Sequence, residues 1–156
     1  MNMAYPHLVL NHLPVVALPV VLCFLGYGIW KSQKVLIRVS LVMLVAVCAS
    51  GIPVYLSGEP AEEAVEHMQG INESAIETHE DVAKVALVML ILTGLAAVGA
   101  VLLENKPAAE KRALQAVMLL ALIAWVSLVV VANLGGKIHH NELGHLSSEA
   151  RTFHFS

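Results

Sequence analysis

The side chains able to do chemistry in this sequence are mainly its eight histidines, and three of them are spaced to meet. His12 stands near the start of one long apolar run, His79 just before another, and His140 just after a third. A neutral imidazole presents a nitrogen lone pair near pH 7, which suits haem iron, copper, zinc and non-haem iron. Helical period supports convergence. His140 shares a stripe with Gly136 and Asn133, and Gly136 would leave space beside the imidazole for a close helix or a flat cofactor. His79 shares a face with Ala75, Ile76, Ala83 and Ala86. A polar ring is costly against lipid, so these histidines are expected to face the interior of a bundle. His67, His145 and His154 read as surface residues, with His7 and His139 intermediate.

Carboxylates crowd the same segments. Glu63 lies in the long connection, Glu80 follows His79, and Glu142 follows His140 by two. Beside three histidines they could complete the ligands of a Cu, Zn or Fe ion. Taken singly, each also reads as part of a solvated acidic segment. A b-type haem would need two of His12, His79 and His140, with His79 paired to His140 or His12. A third reading has no cofactor. Small residues Gly94, Ala96, Ala97, Gly99 and Ala100 would let helices approach closely, inside the molecule or in a homodimer of a structural or assembly subunit. The chain has no nucleophile–base triad, P-loop, Rossmann glycine fingerprint or Cys-x-x-Cys, which argues against an enzyme in its own right.

The elements that must hold these groups are dictated by composition. The chain has 156 residues, 58% hydrophobic and 13% charged, with mean hydropathy +0.74. Soluble chains carry about 25% charge. Disorder is excluded by the apolar content and a nucleic-acid binder by the net charge of −3. Four apolar runs stand out: Leu13–Trp30, Val35–Leu56, Val82–Leu103 and Ala113–Leu134. As helix, each of the last three spans about 33 Å, matching a hydrocarbon core of about 30 Å. Lipid offers backbone groups no partner, so each run must be helical. The expected fold is an all-α, integral-membrane four-helix bundle over residues 1–146, with spans near 8–30, 35–56, 75–103 and 113–140. A short amphipathic helix near 60–69, opened by Pro60, and a frayed tail over 147–156 complete it. Asn72 is the expected cap of the helix that carries His79.

Lys31, Lys34 and Arg38 lie in one short turn and Lys106, Lys111 and Arg112 in the other. The positive-inside rule puts both turns in the cytoplasm and both termini outside, with the histidines. Residues 1–12 lack Lys and Arg, so the first run reads as a permanent helix rather than a signal peptide. Pro14, Pro19 and Pro53 each free a carbonyl four residues earlier, which must find a partner inside the protein. Asn11, Ser50 and Tyr55 are candidates. Cys23 and Cys48 read as small apolar residues of the membrane core.

The order of these motifs resembles a family of small uncharacterised bacterial four-helix membrane proteins. In that family an Asn-His-x-Pro or His-Phe-Pro element starts helix one, a histidine opens helix three, and Gly-Gly-x-x-x-His closes helix four. The matching stretches are Asn11-His12-Leu13-Pro14, Ser57–Glu63, His79-Glu80 and Ala132–Glu142, within about residues 5–143. The resemblance implies the four-helix fold in a bacterial inner membrane and His12, His79 and His140 as the polar centre. Relatives fused to iron–sulfur domains imply redox work with a haem or metal, and a redox partner or membrane complex.

Overall fold

A computed structural model describes residues 4–58 and 73–152, with side chains for 10–58, 74 and 76–136. Among these residues the long helices are four: α1 (Ala4–Trp30), α2 (Lys34–Leu56), α3 (Glu73–Leu102) and α4 (Pro107–Thr152). Each is long and apolar enough to cross a membrane. Neighbours pack in a ring, α1 on α2, α2 on α3, α3 on α4 and α4 on α1. Short turns join α1 to α2 and α3 to α4, so alternate helices run in opposite directions. Both short turns lie at one end, called here the basic end. His12 and His79 lie toward the other, the histidine end.

The core is a set of stripes with alternating steps of three and four residues, the period that turns one face of each helix inward. On α1 it runs Pro14, Leu18, Val21, Leu25, and on α2 Ile37, Leu41, Leu44, Cys48, Gly51. On α3 it includes Ala86, Leu90, Thr93, Ala97, Ala100, and on α4 Leu114, Val117, Ala121, Ala124, Leu128, Val131. The outward faces are equally apolar: Val16, Phe24, Val42, Val88, Leu95 and Leu119 are all exposed. Water would not tolerate that exterior and lipid requires it, so the chain is a multi-pass membrane protein.

Small residues serve the inside of the bundle. A Cβ on Gly51 would lie 2.5 Å from Leu90 Cδ1, and one on Gly94 would lie 3.3 Å from Cys48 Cβ. Ala97 and Ala100 are fully buried. The small-residue stripe expected either inside or in a homodimer is thus largely used where α3 meets its neighbours. Cys48 is buried and Cys23 exposed, both as free thiols.

One proline-freed carbonyl has an unexpected partner. Pro19 deprives Val15 of its helical donor, and Trp125 Nε1 of α4 donates to Val15 O at 3.2 Å. Ser50, expected to serve such a carbonyl, instead donates to Val47 O at 2.6 Å within its own helix.

One boundary differs from expectation. The fourth helix continues through Gly135 and Gly136 to Thr152, so residues 147–152, expected to fray, are helical. No proline follows Pro107 to stop it, and Glu142, Leu143, Leu146, Glu149 and Ala150 are good helix formers. α3 starts at Glu73, directly after Asn72. Asn72, the amphipathic segment 60–69 and Glu63 lie outside the described residues.

Candidate functional site

His79 is the histidine whose placement is best defined by its neighbours. It extends the core stripe of α3 outward, three residues after buried Ile76 and seven before buried Ala86. The side chain is half-buried, with Nδ1 fully covered. Its ring lies on α4 at Gly135, where a Cβ would stand 3.2 Å from Cε1 and 3.7 Å from Nδ1. Gly135 is itself the next position of α4's stripe after Val131. The glycine expected to make room for a ring, Gly136, is exposed, and among the described residues a Cβ there would meet nothing within 4 Å. The difference has a simple cause. The stripe that begins at Leu114 arrives at Gly135, whereas Gly136 belongs to the neighbouring face.

His12 lies off the core stripe of α1. Its side chain is exposed, and the core stripe of α1 instead reaches half-buried Asn11. Two independent routes give the depth. The Trp125–Val15 bond sets α1 against α4 and puts His12 level with the neighbourhood of Leu128, seven residues inward of Gly135. At 1.5 Å per residue that is about 10 Å. The other way round the ring, Gly28 meets Ile37, Gly51 meets Leu90 and Gly135 meets His79. That chain puts His12 level with Val88, nine residues or about 14 Å inward of His79. By helix register His12 therefore lies about 10–14 Å further along the bundle than His79.

His140 belongs to α4 five residues beyond Gly135, about 7.5 Å further out. Its side chain and that of Glu142 lie outside those described. On α1, the stripe position one turn beyond Asn11 is residue 7, a histidine. By the same registers its backbone is level with residues 131–133 of α4, close to His79 in depth.

A charged cluster lies beside the site on α3. Lys84 pairs with Glu80 at 3.0 Å and Asp81 at 3.5 Å, with side chains 50%, 46% and 69% exposed. The uncharged part of α3, Val85–Leu102, is about 27 Å long, close to the hydrocarbon thickness. His79 lies about one and a half turns beyond that uncharged stretch. Glu80, a candidate ligand, is engaged by Lys84. Among the described residues no three His, Cys, Asp or Glu side chains stand together as a metal site. The ring of His79 on Gly135 is thus the centre of the site that the described residues define.

No family model matches the chain, and neither does any curated protein or solved structure. What the protein does must therefore be read from the site itself.

Proposed function

We propose that this protein is a membrane electron carrier that binds a b-type haem at the histidine end of the bundle, where His79 would be one of the residues holding it. The observation that supports this most is an imidazole on the core stripe of a membrane helix, held against a glycine of the next helix. Nothing in the packing of an inert bundle calls for a histidine there, since Ala83 and Ala86 fill the same stripe one and two turns deeper. By register α2 ends about 9 Å short of His79's level. Among the described residues the helices at that level are α1, α3 and α4, two of which carry a second histidine.

Bound there, haem would supply a one-electron couple. The chain's own residues do the rest. Burial of Nδ1 holds the ring in one orientation, and Gly135 lets α4 come close enough to fix it. His7 or His140, whose backbones lie nearer to this level than that of His12, would be the second residue to hold it. A site just outside the hydrocarbon lies within reach of a water-side redox partner. The six cations of the short turns favour the cytoplasm for the opposite end, which supports a periplasmic site and periplasmic termini in a bacterial inner membrane. A non-haem ion held by His79 and Glu80 is less well supported, because Lys84 already occupies that carboxylate.

The test is an absorbance spectrum of the detergent-purified protein after expression with ample haem, with metal analysis of the same sample. A Soret band is expected, abolished in His79→Ala and retained in His12→Ala. A colourless wild-type protein rejects the haem. If it also holds less than about 0.1 equivalent of transition metal, the cofactor-free scaffold is the surviving reading.

A further inference from the structure

The basic end of the bundle has a recess that the proposed redox site does not use. Between α2, α3 and α4 it is lined by Lys34, Arg38, Leu41, Val101, Glu104 and Leu114, with Glu110 at its side. Lys34 Nζ bonds Glu110 Oε2 at 3.2 Å and the Glu104 carbonyl at 3.3 Å, and Arg38 Nη1 lies 3.5 Å from Glu104 Oε1. The exposures within each pair are unequal. Lys34 and Arg38 side chains are 70% and 64% exposed, while Glu110 and Glu104 are 13% and 35% exposed. The carboxylates therefore sit beneath the cations and hold them outward.

These two acids do not neutralise the surface. Lys31, Lys34, Arg38, Lys106, Lys111 and Arg112 are six cations against Glu104 and Glu110, which leaves a balance of +4. Directly beside them Tyr27 and Trp30 pack edge to face, with Lys31 Nζ 4.0 Å over the Trp30 ring. Exposed tyrosine and tryptophan at the end of apolar helices mark the headgroup layer. Below the cations the exposed surface turns wholly apolar, with Val35, Val39 and Val42 on α2 and Val98 and Leu102 on α3.

We infer that this recess is a binding site for the phosphate of an anionic phospholipid. The outward cations Lys34 and Arg38 would take the phosphate oxygens, and the acyl chains would lie on the exposed apolar residues of α2 and α3. Charge, depth and the apolar surface beneath all match one amphipathic anion. Basic pockets between membrane helices are recognised lipid headgroup sites, each cation near the surface contributing about a fivefold gain in affinity. Nothing in this site depends on the haem.

Binding of phosphatidylglycerol and phosphatidylcholine to the full chain, released from detergent micelles and counted by native mass spectrometry, tests it. Wild type is expected to prefer phosphatidylglycerol, and Lys34→Gln/Arg38→Gln to lose that preference by about 25-fold, two charges at fivefold each. Lys84→Gln, at the other end, is expected to leave it unchanged. Equal retention of both lipids by wild type overturns the site, as does an equal loss in Lys84→Gln. Inorganic phosphate at matching concentration should not displace the lipid; displacement would show a free-anion site instead. If the double variant does not fold, wild type at rising salt is decisive, because a preference that survives about 0.5 M salt is not electrostatic.

Discussion

The imidazole of His79 rests on the backbone of Gly135, with Cε1 only 3.2 Å from where a Cβ would stand. That closeness means the glycine is read by the ring and not only by the helix. Gly135→Ala is expected to push the ring by a few tenths of an ångström and to weaken cofactor retention. Gly135→Leu should expel it and destabilise the bundle by about 1–3 kcal/mol, the usual cost of overpacking. Gly136→Ala, with nothing within 4 Å, should leave both unchanged. Absorbance and thermal unfolding of the three variants in one detergent check this. Equal effects at both glycines would show that the seat is unimportant.

Trp125 and Pro19 form a second coupled pair, although they lie on different helices. Trp125→Phe removes the donor to Val15 O and should cost about 0.6–2 kcal/mol, the range for hydrogen bonds between membrane helices. Pro19→Ala restores an N–H four residues after Val15, so in that background the same change should cost markedly less. A double-mutant cycle measured by unfolding in mixed micelles reads the coupling directly. Strict additivity would mean that the indole bond contributes nothing to stability.

How much of this was legible from the residues follows from what lipid enforces. Four helices, their order and the membrane itself were readable because a long uncharged segment has no other fold in hydrocarbon. The inward face of His79 was readable too, since Ile76, Ala83 and Ala86 recur with its period. His12 was not. α1 is apolar on all sides, so nothing in its composition shows whether Asn11 or His12 continues the stripe through Pro14 and Leu18. Depth was equally hidden. Counting from the ends of apolar runs treats every helix as stopping at the same plane, while α3 and α4 extend well beyond it. Only contacts such as Trp125 on Val15 supply the register. The basic recess was invisible for a related reason: its lining comes from three helices, and the Lys34–Glu104 bond alone joins positions 70 apart in the chain.

Close packing between α2 and α3 predicts opposite outcomes at two glycines. Gly51→Ala places a methyl 2.5 Å from Cδ1 of Leu90, which is only 2% exposed and has little room to turn. A loss of about 1–3 kcal/mol is expected. Gly99→Ala meets nothing within 4 Å and should be neutral or gain up to about 1 kcal/mol from helix propensity. Thermal unfolding of both in detergent decides, and a destabilised Gly99→Ala would indicate that this face is covered by another molecule.

The turn that carries the basic end holds one residue in a backbone geometry it does not favour. Ser32 has φ 53°, the left-handed region, and closes α1 in a Schellman arrangement. Its N–H bonds Ile29 O at 3.2 Å and the Gln33 N–H bonds Gly28 O at 2.8 Å. An L-residue pays about 1–2 kcal/mol for that backbone geometry, and glycine does not. Glycine also gives the unfolded chain more freedom, which offsets part of the gain. Ser32→Gly should therefore stabilise the protein by up to about 1 kcal/mol, while Ser32→Val should destabilise it by more than that. The pair separates the turn from the charges around it, because neither variant alters Lys31, Lys34 or Arg38. If valine is tolerated as well as glycine in thermal unfolding, the left-handed turn does not hold in the folded protein.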